Sequence, residues 1–326
     1  MRNTITRLRP GFLLLALLLM ALPAQAQTYP TRPVRVIVPF PAGGVTDVTA
    51  RLIGQKLTDA LGQQMVIENR SGASGTLGVE AVAKAAPDGQ TLLITTGDFI
   101  TTPSLMPKMA FDPNKDLVPV TMLAAAPLLL GAHAGGSITS VVDLIAQAKA
   151  SPGKIAFSSP GTGTINHLAV EWLAIEAGLK LLHVPYRGGV PAATAIAAGD
   201  VPIGAVTVSS AQSLMDAGKI KPMALMTRQR PSFAPPDWPA LTDLGLPIDA
   251  ALWVGLFVPA GTPAAIISRL EAETARILRE SDVRKRLNDL GTEAAALGQA
   301  AFADRIRLDA SRYARIIEQT GIRVGQ

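Results

Sequence analysis

A glycine-rich turn, PFPAGGVTD at residues 39–47, contains the first residues whose spacing suggests chemistry. It follows an alternating apolar run that ends at Val38, and an amphipathic stretch follows it. The first N–H groups of a helix lack acceptors within the helix and carry a partial positive charge. Gly43 and Gly44 would let an anion approach those N–H groups closely. The turn therefore predicts that a carboxylate or another small anion is held at the start of a helix.

Three further turns have the same form, at residues 72–75, 161–164 and 187–189. Each of them, taken alone, is equally consistent with a tight connection between a strand and a helix. Two such turns that face each other across a cleft would hold a molecule with two acidic ends. Three or four charge-assisted hydrogen bonds, at roughly 1.5–3 kcal/mol each, would suffice for micromolar binding.

Enzymatic chemistry is the main alternative. Ser158 or Ser159, at the end of an apparent strand, could act with His167 as the nucleophile and base of a hydrolase. The surrounding stretch FSSPGTG, however, lacks the G-x-S-x-G pattern of such enzymes. The three histidines have no metal-ligand spacing, and GASGTLG fails the dinucleotide fingerprint at its second glycine. We therefore expect no metal and no cofactor.

The N-terminal residues predict export. Arg2, Arg7 and Arg9 precede an apolar run at residues 11–22, and a small-residue cleavage site ends at Ala26. The run is shorter than the roughly 20 residues that a membrane span needs. We expect residues 1–26 to be a signal peptide that is cleaved after about Ala26.

Composition excludes two further classes of function. The net charge of +5 falls to +2 without the three signal-peptide arginines, and aromatic residues make up only 4% of the chain. Nucleic-acid binding would need a basic stripe with aromatic residues, so we expect no nucleic-acid partner. The chain has no cysteine, which excludes disulfides and thiolate chemistry.

Strands and helices alternate along the chain, with glycine or proline between them. Strands are predicted within residues 34–40, 64–70, 90–97, 154–163, 179–189 and 221–227. Helices are predicted from about residue 47 to Gly62, before Pro87, at 141–150, 165–178 and 191–199, and through the C-terminal third. One of the last helices has Thr262 as its predicted N-cap. The alternation predicts an α/β fold with mainly parallel sheets.

Five stretches, in order, carry a more specific signal. They are YPTRPVRVIVPFPAGGVTDVTARLIGQKL, GQQMVIENRSGASGTLGVEAVAKAAPDGQTLL, HVPYRGGVPA, WVGLFVPAGTP and the Gly-x-Glu stretch at Gly291–Glu293. They resemble the signatures of the Bug-type (TctC-like) receptors, the periplasmic substrate-binding subunits of tripartite tricarboxylate transporters. The resemblance runs from about Tyr29 to the last helix.

The resemblance implies a type II periplasmic-binding-protein fold, with two α/β domains, a ligand cleft between them and two crossover strands. We expect the crossovers near residues 117–130 and 221–228. One domain would then be discontinuous, at 28–122 plus 227–326, and the second would cover 123–226.

The resemblance also implies a ligand-binding site between the domains. Backbone donors would come from Ala42–Gly44, Asp47 would cap the helix or hold a bridging water, and Arg187 would either supply a cation or face solvent. The first domain would contribute Phe40, Pro41, Ala42, Gly43, Gly44, Asp47, Thr95, Thr96 and Gly97. The second would contribute Ser158, Gly161, Thr162, Gly163, His167, Tyr186, Arg187, Gly188 and Val206.

One departure from the family pattern bears on the ligand. Where many relatives carry an acid after the strand that begins near residue 203, this chain has Val206. An acid there would be a natural partner for a ligand amine. We therefore expect a non-amino carboxylate, with an apolar segment against Val206.

The resemblance implies a non-enzymatic receptor in the periplasm. It would be a monomer that closes around its ligand and delivers it to the membrane permease of a tripartite tricarboxylate transporter. A sensor that presents the liganded form to a signalling partner would need the same closure and stays a second alternative.

Overall fold

The computed structural model describes residues 29–72, 75–106, 111–228 and 230–323. The predicted signal peptide at residues 1–26 lies outside the described residues. None of the helices within the described ranges is both long enough and apolar enough to cross a membrane.

The strands form from short apolar runs. In β1, for example, every residue except Arg35 is buried, which is typical of a strand covered on both faces. The described strands are β1 (Val34–Val38), β2 (Met65–Asn69), β3 (Thr91–Thr96), β4 (Leu117–His133), β5 (Ala156–Ser159), β6 (Leu182–Pro185), β7 (Ile203–Thr207), β8 (Ile220–Leu225), β9 (Ala251–Pro259) and β10 (Glu293–Leu297). All six strands predicted above are confirmed, as β1, β2, β3, β5, β6 and β8.

The helices follow the predicted pattern, in which a turn precedes a stretch with periodic apolar residues. They are α1 (Val45–Leu61), α2 (Thr76–Ala83), α3 (Thr102–Leu105), α4 (Val141–Ala150), α5 (Ile165–Ala177), α6 (Gly189–Ala198), α7 (Val208–Asp216), α8 (Ala264–Ile277), α9 (Ser281–Asp289) and α10 (Gln299–Thr320). Short 3-10 helices cover Gly97–Thr101 and Leu241–Leu244.

Two helix ends test the predictions directly. Helix α1 ends at Gly62, which adopts the left-handed conformation at φ 71° and donates its N–H to the Thr58 carbonyl, as predicted. The predicted N-cap at Thr262 is wrong, because Pro263 takes that position in α8. The Thr262 hydroxyl instead donates to the carbonyl of Pro259, 2.8 Å away.

The sheet is mixed, so the expectation of mainly parallel strands is wrong. Its order is β2-β1-β3-β9-β4-β7-β5-β6, with β8 and β10 also paired to β4. Neighbours among β1, β2 and β3, and among β5, β6 and β7, are parallel. Every pairing made by β4 or β9 is antiparallel, because these two long apolar strands run against the repeated strand–helix units.

Strand β4 belongs to two parts of the sheet. Its residues up to Pro127 pair with β9 and β10, and its residues from Leu128 onward pair with β7 and β8. The first region, as we call it, consists of β1–β3, β9, β10 and the first part of β4, with helices α1–α3 and α8–α10. We call β5–β8 with the rest of β4 and helices α4–α7 the second region. The chain passes back to the first region beyond β8, where the Met226 N–H donates to the Leu128 carbonyl at 2.9 Å.

An apolar core joins the two regions on one side. Trp253 of β9 is fully buried and meets Phe302 of α10 edge to face, with ring centroids 5.1 Å apart. The same continuous cluster includes Ile165 and Leu168 of α5. The Arg312 guanidinium of α10 also lies 4.7 Å from the ring centre of Trp172 in α5. Helices α5 and α10 therefore fix the two regions against each other along this side.

A buried carboxylate organises this contact. Asp309 of α10 is fully buried and accepts hydrogen bonds from Arg305 (2.7 Å), Arg312 (3.2 Å) and the Trp253 indole (3.2 Å). The side chains of Arg305 and Arg312 are 25% and 19% exposed, so both charges depend on Asp309 for compensation.

Substitution of Asp309 tests this contact. Asp309→Ala should lower the free energy of unfolding by about 3–5 kcal/mol, because it leaves two partly buried guanidinium groups without their carboxylate partner. Asp304→Ala, on the exposed face of the same helix, should change it by less than about 0.5 kcal/mol. Urea denaturation of both variants and the wild type measures the difference. Equal effects of the two substitutions would contradict the role given to Asp309.

Candidate functional site

A cavity of about 1160 Å³ lies between the first and second regions. Residues at the starts of five helices, α1, α2, α5, α6 and α7, line it. Because helix starts present N–H donors and a partial positive charge, their convergence makes the cavity favourable for an anion. Apolar side chains complete the wall, among them Phe40, Leu105, Met106 and Phe233.

The start of α1 keeps free donors. Within the described residues, the N–H groups of Val45 and Thr46 have no hydrogen-bond acceptor. Gly44 precedes them in an extended conformation, with φ −75°, and a Cβ placed on it would meet nothing closer than the Pro41 carbonyl oxygen at 3.8 Å. A ligand oxygen can therefore approach this helix start without steric hindrance from the turn.

The buried side chain of Asp47 stabilises the glycine turn before α1 and lies outside the cavity lining. It is 2% exposed, and its carboxylate accepts the N–H of Gly43 at 2.9 Å, the Arg51 guanidinium at 3.0 Å and the Asn69 amide at 2.9 Å. Burial alone would raise the pKa of Asp47, but these hydrogen bonds outweigh it and hold the pKa below its usual value. Asp47 thus fixes Gly43 in its left-handed conformation at φ 86°.

A buried side chain also stabilises the glycine turn of the second region, at residues 161–163. Gly163, at φ 79°, donates its N–H to Nδ1 of His167, 3.0 Å away and four residues later in the chain. The buried ring of His167 stacks on His183 with ring centroids 3.6 Å apart. His183 Nε2 in turn contacts the hydroxyl of Ser159 at 2.7 Å.

The hydrolase arrangement considered as an alternative does not form. Ser158 donates its hydroxyl to the Ala192 carbonyl at 3.0 Å, and Ser159 contacts His183 and not His167. Both serine residues are fully buried. No group of three or more possible metal ligands occurs among the described residues.

Many of the predicted site residues line the cavity, and the others do not. Those that line it are Phe40, Pro41, Ala42, Gly43, Gly44, Thr96, Gly161, Thr162, Gly163, Arg187 and Gly188. Those outside its lining are Asp47, Thr95, Gly97, Ser158, His167, Tyr186 and Val206. Val206 is fully buried and packs within the apolar cluster of Ala192 and Ile196, whereas its neighbour Thr207 lines the cavity.

Sequence reasoning missed several wall residues. Ser209 and Ser210 follow Thr207, whose hydroxyl accepts the N–H of Ser210 at 3.3 Å as the N-cap of α7. The stretch TVSS after an apolar strand is a capping signal that could have been recognised. The wall also includes Thr101, Thr102, Asn166, Leu252 and residues 288–291.

Asp98 is the most consequential of the missed residues. It stands two residues after the end of β3, lines the cavity and bonds to the second region. One carboxylate oxygen accepts the N–H of Ile165, the first residue of α5, at 3.0 Å, and the other accepts the Thr96 hydroxyl at 3.0 Å. Burial raises the pKa of Asp98 above its usual value, although both hydrogen bonds act to lower it.

Solved structures of periplasmic binding proteins have the same fold as this chain. The fold matches the solved structure of periplasmic binding protein BugD, with 28% identity, a TM-score of 0.78 and coverage of 90% of this chain and 99% of that one. R. palustris Rpa4515 with adipate matches at 32% identity and a TM-score of 0.81 over 90% and 99% of the two chains. MatC from Rhodopseudomonas palustris with bound malate matches at 33% identity and a TM-score of 0.77 over 89% and 100%.

The family follows from the sequence as a whole. A family model described as the tripartite tricarboxylate transporter family receptor (TctC) matches residues 49–322. The chain therefore belongs to this family of periplasmic solute-binding receptors. The family and the structural neighbours are receptors and not enzymes.

The stacked histidines predict a measurable pH dependence of stability. Burial, with a smaller contribution from His167, lowers the pKa of His183 to about 3 from an ordinary value of 6.5. As the pH falls below about 6.5, the unfolded chain takes up a proton at this residue that the folded protein resists, so the folded state loses stability. His183→Gln, which cannot titrate, should lose less stability between pH 6.5 and pH 4 than the wild type.

Urea denaturation across this pH range measures the slope. Ser159→Ala is the matched control, because it removes the hydroxyl that contacts His183 and leaves the ring in place. It should keep the wild-type slope. Equal slopes for the wild type and His183→Gln would show that His183 does not cause the dependence.

Proposed function

We propose that this protein is an exported receptor that binds a small carboxylate between its two regions and delivers it to a membrane permease. The ligand carboxylate accepts the unpaired N–H groups at the start of α1. The observation that carries the proposal is the convergence of five helix starts on one cavity, with the N–H groups of Val45 and Thr46 free of acceptors among the described residues. The neighbours solved with adipate and with malate support a carboxylate ligand.

The two regions supply the movement that the proposal needs. The domains would be residues 28–122 plus 227–326 and residues 123–226, and closure would bring the second-region turns at 161–163 and 187–189 onto the ligand. The pairing of β4 changes partners between Pro127 and Leu128, which supports a boundary near this point. Arg187 lines the cavity and makes no ion pair among the described residues, so it is available to an anion on closure.

The ligand would carry no amine. Val206, on which this preference was first based, lies in the core and cannot contact a ligand directly. Of the two carboxylates among the described wall residues, Asp98 already accepts hydrogen bonds on both oxygens, from Ile165 and Thr96, and Asp289 is paired with Lys285. Burial also raises the pKa of Asp98, which makes this carboxyl group a poorer partner for a ligand ammonium. Propionate should therefore bind more tightly than alanine, and the reverse order in calorimetric titrations would contradict this preference.

Export and assembly complete the proposal. Removal of residues 1–26 would release the mature chain into the periplasm as a monomer. Uptake of a radiolabelled carboxylate by cells with the permease, lost on deletion of the receptor, would support delivery. Binding without any effect on uptake would favour the sensor alternative.

Gly44 gives a direct test of the binding mode. Gly44→Val should weaken carboxylate binding at least tenfold, because the new side chain lies at the start of α1, where the ligand oxygens would bind. The backbone conformation of Gly44 and the open space around it mean that the fold should be retained. Thermal denaturation with a panel of carboxylates measures both effects, since a ligand at 100 times its Kd stabilises the folded state by about 2.7 kcal/mol.

Gly62→Ala, at the other end of the same helix, is the matched control. Gly62 adopts φ 71°, so an alanine there should cost about 1 kcal/mol of stability and leave ligand affinity unchanged. Equal ligand affinity of Gly44→Val and the wild type would contradict the proposed mode, and binding of no carboxylate by the wild type would contradict the proposed function.

A further inference from the structure

One helix start at the cavity differs from α1 in a way that bears on the ligand. At α5, the N–H of Ile165 is taken by Asp98 at 3.0 Å, and the N–H of His167 is taken by the Thr164 hydroxyl at 3.4 Å. The preceding turn is also satisfied, because Gly163 donates to His167. The protein therefore supplies its own carboxylate to this helix start.

The position of Asp98 is fixed from several sides. It is the second residue of the 3-10 helix at Gly97–Thr101, and the Thr101 hydroxyl of the same helix donates to the Gly163 carbonyl at 3.0 Å. Gly97 lies so close to Ile165 that a Cβ on it would be 2.8 Å from the Ile165 side chain. The carboxylate is thus built into the junction between the two regions and does not depend on a mobile side chain.

The charge along the cavity has a consistent pattern. Among the described wall residues, the charged side chains are Asp98, Asp289 and Arg187. Asp98 lies at the start of α5, Arg187 lies before α6, and the start of α1 carries no charged side chain in the wall. A ligand carboxylate is favoured near α1 and Arg187, whereas a second one near α5 would meet Asp98 in a partly desolvated site.

We propose that Asp98 makes the receptor selective for ligands with a single carboxylate. It does so by occupying the Ile165 N–H at the start of α5, where a second ligand carboxylate could otherwise bind. The carboxyl group takes the Ile165 N–H in either protonation state, and when ionised it also repels a second anion. This inference rests on the proposed function. The chain would then differ from the neighbours solved with adipate and malate, which are both dicarboxylates.

The test compares matched pairs of ligands that differ by one carboxylate: butyrate and succinate, hexanoate and adipate, benzoate and terephthalate. Calorimetric titration at pH 8.5 gives the affinity ratio of the monocarboxylate to the dicarboxylate in each pair. The wild type should favour the monocarboxylate at least tenfold in the pair that binds most tightly. Asp98→Ala should lower that ratio at least tenfold, because it frees the Ile165 N–H and removes the charge.

Asp98→Asn keeps an acceptor for the Ile165 N–H and removes only the charge, so it should lower the affinity ratio by less than Asp98→Ala does. It also provides the test if the alanine variant fails to fold. Asp304→Ala, at an exposed carboxylate outside the cavity wall, should leave the ratio within twofold of the wild type. A wild-type preference for dicarboxylates, or a ratio unchanged in both Asp98 variants, would overturn this inference while leaving the receptor function intact. Absence of binding by every compound would overturn the proposed function itself.

Discussion

Backbone N–H groups at the start of a helix must find an acceptor, and this requirement governs the centre of the molecule. Five helices begin at the cavity, and the protein satisfies their starts to different degrees. Helix α5 receives Asp98 and Thr164, α7 receives Thr207, and α1 is left with free donors among the described residues. The starts of α5 and α7 are capped by side chains and that of α1 is not, so the start of α1 is the more open of these places for a ligand.

The two glycine turns on opposite sides of the cavity are held by the same local device. In each, a glycine at positive φ donates its N–H to a buried side chain four residues later, Asp47 for Gly43 and His167 for Gly163. A turn fixed in this way loses little conformational entropy when a ligand binds, which favours affinity. The acceptors differ in chemistry, because Asp47 is backed by Arg51 and Asn69, whereas His167 is backed by a second histidine.

Local signals were sufficient for much of the fold and for the glycine turns. The apolar run of β1 and the stop at Gly62 depend on nearby residues, and both were predictable. Asp98 and Val206 depend on tertiary contacts instead. Which face of β7 meets the cavity is decided by packing against α6, so Val206 points into the core and Thr207 does not. The bond from Asp98 to Ile165 joins residues 67 positions apart, and no local pattern indicates it.

The long strand β4 also constrains how the chain can reach this structure. Its neighbours β9 and β10 are made of residues 251–297, whereas its other neighbours β7 and β8 are made of residues 203–225. No continuous fragment that stops before the C-terminal part can complete the first region. Such pairing between distant segments gives a high contact order, which is associated with slow folding. The central strand that unites the two regions thereby postpones the completed native state until nearly the whole polypeptide is present.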